Sequence, residues 1–497
     1  MDTVDPSEHL DPTEEITLDV VKNRAVKGVV VLTGRTFLLS VLSLVATGFL
    51  TVFLDPSQFG IFWIVSAIVN FLAYFSDVGL AAALIQKRET PTESDLRTTF
   101  VVQQLLVLLI LAIIFLGMPF FTHIYHLTSE AKYLLYALGI SLIFSSLKTI
   151  PSVLMERDLQ FGKLVIPQVA ENLVYNLVAV VLAWKGLGVT SFTIAVLVRG
   201  VVGLIIIYIL KPWVPGFSLS IPSLKKLLSY GVPYQGNTLL AMLKDDGMTA
   251  FLGTILGPAG IGYLGWAQKW GYAPLRFFMD QVVKVTFPAF ARMQAEKEQL
   301  IRSVNRSIFF ICILVFPTLI GLLIIAPTLV KVIPRYGKWT PALLPLSLIG
   351  INCFFAAATT QLTNLLSSIG KIKSTFKLMV MWTVLTWVFV PALAYKFGVN
   401  GAAFGYSLIG VSSIVAIVVA KRAVNFSLMD SAVKPALAAF LMGGTLLIIR
   451  HYLSISFTSV WIMIGIGAFT YAISMFLLVG VTLIADVKKS FFTLFSK

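Results

Sequence analysis

The chain has 497 residues, of which 58% are hydrophobic and 12% charged, and its mean hydropathy is +0.90. A soluble domain carries about a quarter charged residues, so this composition excludes an ordinary soluble protein. The net charge of +15 would suit a nucleic-acid partner, but the positions of the basic residues give it another explanation below.

Fourteen apolar segments lie between Lys22 and Asp486, each with roughly the 20 residues that a helix needs to cross a bilayer. Only helices and closed barrels satisfy their backbone in lipid, and segments of this length favour helices. We therefore predict an all-α integral membrane protein with fourteen transmembrane helices. The predicted spans cover residues 26–50, 59–84, 98–121, 131–151, 164–184, 189–210, 230–255, 260–285, 304–332, 342–366, 374–395, 400–420, 435–453 and 458–484.

The basic residues alternate between the two sets of connecting loops. With a cytoplasmic N-terminus, 26 of the 38 lysines and arginines fall in or beside cytoplasmic loops, 7 in external loops and 5 inside spans. Cytoplasmic loops retain Lys and Arg, so the sequence predicts a multi-pass protein of the cell membrane with both termini in the cytoplasm. The same bias explains the net charge, and we expect no nucleic-acid partner.

Two short sequences recur at nearly constant distance along the chain. Leucine, proline and glycine at 54, 56 and 60 return at 256, 258 and 262, and Gly188-Val189 returns as Gly398-Val399. This predicts two six-helix lobes in parallel orientation, followed by a separate helix pair. The predicted units are an acidic cytoplasmic tail (1–20), an N-lobe (21–210), a cytoplasmic linker (211–229), a C-lobe (230–420) and the last two helices with a cytoplasmic C-terminus (421–497).

Motifs for enzymatic chemistry are missing from the sequence. Cys312 and Cys353 fall in predicted spans without metal or disulfide spacing, and no P-loop or glycine-rich nucleotide motif is present. No group of residues has the pattern of a catalytic nucleophile with its base. We therefore expect neither catalysis nor a bound cofactor or metal.

Ionisable side chains within the spans are the main functional candidates, because each is costly in lipid unless it pairs, reaches an interface or faces a water-filled cavity. On span 8, residues with three- and four-residue spacing share one helix face, and Arg276 and Asp280 there could also form an ion pair. We predict that five cations line a cavity: Arg35, Arg199, Lys244, Lys269 and Arg276. The predicted polar and aromatic lining is Asn70, Tyr74, Asn237, Trp266 and Tyr272, and the candidates for binding a coupling ion are Asp77, Glu171, Asp245 and Asp280.

Three stretches carry a family resemblance: Gly262 to Lys269 (GYLGWAQK), then Pro274 and Val285 to Gln294 (VTFPAFARMQ), and, in the first half, Phe75 to Gln86. They resemble the polysaccharide transporter (Wzx-type) family of the multidrug/oligosaccharidyl-lipid/polysaccharide exporter superfamily. Its pattern is a GYY-x-x-A-x-R-like helix, a proline and V-x-FPAFSR-x-Q. The resemblance covers essentially the whole chain. Family members often carry an acidic residue late in span 7, where this chain has Met248, so no role is transferred to that position.

The resemblance implies a flippase that moves a polyprenyl-diphosphate-linked oligosaccharide, the repeat unit of a surface polysaccharide such as lipopolysaccharide, by alternating access. It implies membrane lipids, a polysaccharide polymerase and glycosyltransferases as partners. Cations in the cavity suit a diphosphate. Two alternatives within the superfamily are a flippase for a peptidoglycan lipid precursor and a multidrug exporter. A membrane glycan polymerase or ligase is a third, although every predicted external loop is too short for an active-site domain.

Transport without a nucleotide site requires another source of energy. The cavity carboxylates can bind Na⁺ or H⁺ when the substrate has left, so we expect cation antiport. Asp280 is our first choice among the four carboxylates, because it can exchange partners with Arg276.

Overall fold

The structure is a computed structural model that describes residues 18–87 and 89–480, so most of the acidic tail and the last lysines lie outside it. Within those ranges the chain is helical and contains no strand, which confirms the all-α prediction. The first half comprises α1 (Leu18–Phe53), α2 (Pro56–Ala73), α3 (Leu80–Gln86), α4 (Glu93–Leu116), α5 (Met118–Tyr125), α6 (Ser129–Leu147), α7 (Thr149–Arg157), α8 (Phe161–Trp184) and α9 (Thr190–Leu210).

The first helix of the second half, α10, begins at Ile221, before the predicted membrane span at 230–255. Ser220 caps this helix and Pro222 occupies its first turn. Lys225 and Lys226 lower the hydropathy of its first turns, so the sequence did not indicate a membrane span there. The helices are α10 (Ile221–Met242), α11 (Met248–Gly271), α12 (Ala273–Arg292), α13 (Lys297–Val332), α14 (Leu343–Ser368), α15 (Ile372–Ser412), α16 (Ile414–Lys421), α17 (Lys434–Tyr452) and α18 (Phe457–Val479). A π-helix, Leu243–Gly247, joins α10 to α11.

Twelve segments of the described chain are long and apolar enough to cross a membrane. Two of them are interrupted by glycines with backbone angles that no helix adopts: Gly257 (φ 65°, ψ 179°) and Gly398 (φ 60°, ψ −141°). The chain reverses direction at Gly398, so that the helices on either side come close together. A Cβ on Gly401 would lie 2.0 Å from the carbonyl oxygen of Leu393. The protein is thus a multi-pass membrane protein, and the count of fourteen crossings stays a prediction.

Several loops that the charge pattern assigns to one side of the membrane do lie together. Lys338 Nζ is 3.4 Å from Asp55 Oδ1, Gly188 packs against Gln58, and a Cβ on Gly260 would lie 3.2 Å from Val399. We call this end of the helix bundle the turn end.

The opposite end holds the connection between the two halves, and we call it the linker end. Here the Arg157 guanidinium donates to the carbonyl oxygens of Leu84 and Lys87, and Lys211 Nζ lies 2.9 Å from Asp158 Oδ2. The grouping of loops at two ends agrees with the predicted alternation, although which end faces the cytoplasm stays a prediction.

Equivalent contacts recur in the two halves. Thr98 Oγ1 accepts a hydrogen bond from the backbone N–H of Ser220, and Asn305 Oδ1 accepts one from Ser427 in the same way. Gly200 lies against Phe144 on α6, and Gly410 lies against Asn352 on α14. Small residues let helices approach closely in lipid, where apolar burial alone gives little drive for association. These pairs support the predicted duplication, while the exact domain limits stay predictions.

Candidate functional site

A cavity of about 930 Å³ lies between the two halves. Its wall combines α1 and α2 from the first half with the π-helix, α11, α12, α14 and α15 from the second. The lining part of α1, residues 35–44, lies in the middle of this helix. The polar and aromatic lining residues are Arg35, Thr36, Ser40, Ser43, Trp63, Ser66, Asn70, Lys244, Asp245, Asp246, Thr249, Gln268, Lys269, Tyr272, Arg276, Phe277, Asp280, Asn352, Thr359, Thr360, Thr363, Trp382, Thr386, Tyr406 and Ser413.

Four of the five predicted cavity cations lie in this wall: Arg35, Lys244, Lys269 and Arg276. Lys244 is partly neutralised, because its Nζ lies 2.8 Å from Asp245 Oδ1. The guanidinium of Arg35 donates to the side-chain oxygen of Gln168 on α8, while its buried Nε has no hydrogen-bond partner among the described residues. A buried donor without a partner is costly, so the Arg35 side chain is incompletely satisfied in this arrangement.

Lys269 and Arg276 are the least neutralised cations of the cavity. No salt bridge or hydrogen bond joins either side chain to another described residue, and Arg276 does not pair with Asp280 as its spacing had allowed. Both side chains line the same cavity, so an anionic group there would be attracted by both charges.

Two of the four predicted ion-binding carboxylates, Asp245 and Asp280, also lie in the wall. Asp246 joins them and accepts a hydrogen bond of 3.3 Å from the side chain of Asn70, the predicted polar residue of α2. The π-helix places Lys244, Asp245 and Asp246 consecutively along the cavity. Such wide helical turns are rare and often occur at functional sites.

Arg199 and Glu171 lie elsewhere, within the first half of the chain, which corrects their predicted place in the cavity. Lys148 Nζ lies 2.5 Å from Glu171 Oε1, and Arg199 Nε lies 3.5 Å from Glu171 Oε2. Arg199 also stacks over the ring of Tyr175. Because two fixed cations already neutralise Glu171, an ion-binding role for this carboxylate loses its basis.

Trp266, Tyr74 and Asp77 are likewise outside the cavity wall. Trp266 lies one residue beyond Gly265, which turns it about 100° away from the cavity face of α11. The Tyr74 hydroxyl donates to the carbonyl oxygen of Gln235, and Asp77 accepts from the backbone N–H of Ala81 and from Gln103. Tyr272 lines the cavity as predicted. The side chain of Asn237 lies outside the described residues.

The turn end of the cavity is closed by reciprocal backbone contacts between the halves. A Cβ on Gly60 would lie 1.6 Å from the carbonyl oxygen of Pro258, and one on Gly262 would lie 1.8 Å from that of Pro56. We call these two pairs the glycine–proline closure. Real Cβ atoms do not approach backbone so closely, so both positions require glycine in this arrangement.

An aromatic cluster reinforces this closure. Trp266 stacks on Trp339 with ring centroids 5.6 Å apart, and its indole N–H donates to Tyr336 over 3.2 Å. The indole N–H of Trp339 donates to the carbonyl oxygen of Thr51 on α1 over 2.8 Å. Residues of both halves are therefore joined by hydrogen bonds and stacked rings at the turn end. Trp266 belongs to this cluster and not to the cavity wall.

Contacts elsewhere between the halves are fewer. Phe37 on α1 meets Phe277 on α12 with centroids 5.0 Å apart, and Lys284 Nζ donates to Thr36 over 3.1 Å. At the linker end, a Cβ on Gly79 would lie 2.3 Å from the carbonyl oxygen of Gly231. The cavity is thus enclosed between two lobes that meet at separate contact regions.

Sequence reasoning missed several lining side chains, among them Gln268, Trp63, Trp382 and Tyr406. Helical spacing could have revealed Gln268, because it lies on the same face of α11 as Gly265 and Tyr272. The positions of the aromatic residues could not be predicted in this way, because the sequence of an apolar segment does not distinguish a ring that faces lipid from one that faces a cavity.

Relatives with described roles share much of the chain. It is 24% identical over 382 residues to the lipopolysaccharide biosynthesis protein WzxC of Escherichia coli K12, covering 75% of this chain and 76% of WzxC. It is 22% identical over 375 residues to the succinoglycan biosynthesis transport protein ExoT of Rhizobium meliloti, covering 75% and 73% of the two chains.

Solved structures show the same fold. The lipid II flippase MurJ in an inward closed conformation superposes with a TM-score of 0.75 at 15% identity, covering 90% of this chain and 98% of MurJ. An inward-facing MATE multidrug transporter superposes with a TM-score of 0.57 at 17% identity, covering 77% and 94%. The family described as "Polysaccharide biosynthesis protein" matches residues 49–344. The predicted resemblance is confirmed: this chain belongs to that family.

Proposed function

We propose that the protein is a flippase that carries a polyprenyl-diphosphate-linked oligosaccharide across the cytoplasmic membrane for a surface polysaccharide. The family membership supports a place in polysaccharide biosynthesis. The names of WzxC and ExoT, a lipopolysaccharide biosynthesis protein and a succinoglycan biosynthesis transport protein, support a polysaccharide precursor as the class of substrate. We place the turn end outside and the linker end in the cytoplasm, in accordance with the loop charges.

The observation that carries this proposal is the pair of unneutralised cations, Lys269 and Arg276, inside a large cavity between two lobes. A diphosphate must lose its hydration to enter such a cavity, and fixed cations offset that cost. The glycan shares the cavity, and the lipid chain stays in the bilayer. Alternate opening of the two ends then moves the headgroup between leaflets. Each step is binding and release, without covalent chemistry.

Transport by the purified protein tests this proposal. Reconstituted in vesicles, the wild-type protein should move a fluorescent polyprenyl-diphosphate glycan to the opposite leaflet within minutes, as measured by its accessibility to a membrane-impermeant reagent. Protein-free vesicles and vesicles with a peptidoglycan lipid precursor serve as comparisons. Equal rates with and without protein would refute the flippase, and preference for the peptidoglycan precursor would select that alternative.

We further propose that a cation, Na⁺ or H⁺, moves inward while the glycan moves outward. The membrane potential is worth about 2.3 kcal/mol per charge per 100 mV and favours both an anion leaving the cell and a cation returning. Asp245 and Asp280 remain as candidate ligands because they line the cavity, and Asp280 makes no ion pair among the described residues. We keep Asp280 as the first choice.

Removing the carboxylate charge should therefore uncouple transport. In vesicles, Asp280→Asn should lower the stimulation of flipping by an inward Na⁺ or H⁺ gradient at least fivefold, while basal flipping without a gradient persists. Glu298→Gln, an exposed change on α13, is the matched control. Flipping that ignores both gradients in the wild type, or equal stimulation in Asp280→Asn and the control, would contradict the coupling.

A further inference from the structure

Charge is distributed unevenly around the cavity. Every Asp, Lys and Arg in the described wall comes from α1, the π-helix, α11 or α12, and α14 and α15 contribute none. The part of the wall from these last two helices is polar and aromatic instead. We call it the neutral wall, and it consists of Asn352, Thr359, Thr360, Thr363, Trp382, Thr386, Tyr406 and the adjoining Ser413.

Helical spacing gives this surface its continuity. Asn352, Ala356, Thr359, Thr360 and Thr363 recur every three or four residues, so they form one stripe along α14. Trp382 and Thr386 form the corresponding stripe of α15. Gln361 and Asn364, on another face of α14, bond to Thr286 of α12, whereas the stripe lines the cavity. Polar groups in a membrane span require such a polar or aqueous neighbour.

Three hydroxyl groups of the neutral wall are oriented as acceptors. Thr359, Thr363 and Thr386 each donate to a carbonyl oxygen of their own helix, over 3.0, 2.9 and 2.7 Å. A hydroxyl has one donor and two acceptor positions, so these oxygens keep lone pairs for another molecule.

Trp382 supplies the complementary donor. Its buried indole Nε1 has no hydrogen-bond partner in the described part of the chain, although the residue lines the cavity. A buried indole N–H normally finds a partner. The wall therefore offers acceptors, the indole donor of Trp382 and an aromatic face, without a formal charge.

We propose that the neutral wall is the glycan subsite, which binds the sugar rings of the substrate while the charged wall binds the diphosphate. This deepens the proposed function and rests on it. Sugar hydroxyls donate to the threonine oxygens and accept from Trp382, and the apolar face of a ring packs on the indole. A diphosphate would find no cation here, and a lipid chain would leave the Trp382 indole N–H without a partner. Sugar selectivity accordingly belongs to α14 and α15.

The test compares two carriers in vesicles: polyprenyl diphosphate with one sugar and the same carrier with the complete repeat oligosaccharide. The readout is the ratio of kcat/KM for the complete carrier to that for the one-sugar carrier. In Thr359→Val/Thr363→Val/Trp382→Phe this ratio should fall at least tenfold toward one. Lys269→Gln should instead lower both values together and leave the ratio within twofold.

Two nearby residues on α15 provide a matched control. Thr383 is buried and donates to the carbonyl oxygen of Met379, and Trp387 packs against Phe251 with an indole N–H that also lacks a described partner. Neither lines the cavity. Thr383→Val/Trp387→Phe should keep the wild-type ratio. If the triple variant does not fold, Trp382→Phe alone should show at least a threefold fall.

A wild-type ratio near one, or an unchanged ratio in the neutral-wall variants, would overturn the glycan subsite while leaving the flippase intact. Failure of the wild type to move either carrier would refute the proposed function, and the subsite with it.

Discussion

Replacing both Lys269 and Arg276 by glutamine is expected to reduce glycan export at least a hundredfold. Each charge-assisted hydrogen bond contributes about 1.5–3 kcal/mol, and every 1.4 kcal/mol is about a factor of ten in binding. Two such bonds to a desolvated diphosphate therefore account for a loss of this size. Surface polysaccharide in a deletion strain carrying the variant measures the effect, together with flipping in vesicles.

The control for this change is Arg302→Gln. Arg302 is a cation of the same half, exposed on α13, where it makes only weak contacts with Glu298. Surface ion pairs contribute little, so export should stay within twofold of wild type. Protein amounts must be equal in all strains. Wild-type export from the double variant would show that cavity cations do not bind the substrate.

Gly60→Ala is expected to abolish most transport by preventing the glycine–proline closure. The new methyl group would lie 1.6 Å from the carbonyl oxygen of Pro258, a backbone atom that cannot move aside alone. The arrangement with a closed turn end then becomes inaccessible, and a transporter confined to one arrangement cannot cycle. We expect transport to fall at least thirtyfold, with the cavity held open at the turn end.

Cysteine labelling measures that opening. Ser43→Cys places a thiol in the cavity wall, in a chain whose native Cys312 and Cys353 are replaced by alanine. An impermeant maleimide added outside cells should label this thiol faster in Gly60→Ala. Gly321→Ala is the control, because a Cβ there meets nothing within 4 Å. Equal labelling and transport in both variants would refute the closure as an obligatory state.

The sequence predicted the helical fold well because hydropathy and loop charge are local properties. The predicted span at 230–255 leaves out the first residues of α10, since a helix with Lys225 and Lys226 near its start has no apolar run there. Gly257 and Gly398 fall between predicted spans, and their positive φ angles are ones that other residues avoid.

The site was predicted less completely because side-chain partners depend on packing between helices. The charge of Arg199 gives no sign that Glu171 and Lys148 meet it inside the first half. Trp266 shares an approximate helix face with Lys269, yet a turn of about 100° is enough to send its ring to the turn-end cluster. The neutral wall carries no charge and was therefore the hardest part to anticipate.

The glycine–proline closure also has an evolutionary consequence. Glycine of each half meets proline of the other, at equivalent positions, which is the self-complementary form of an isologous homodimer interface. A six-helix ancestor that paired with a second copy of itself would have made both contacts from a single short sequence. In such a dimer one mutation alters both contacts at once. Fusion into one chain separates them, so that each side of the closure, and each lobe behind it, can diverge alone.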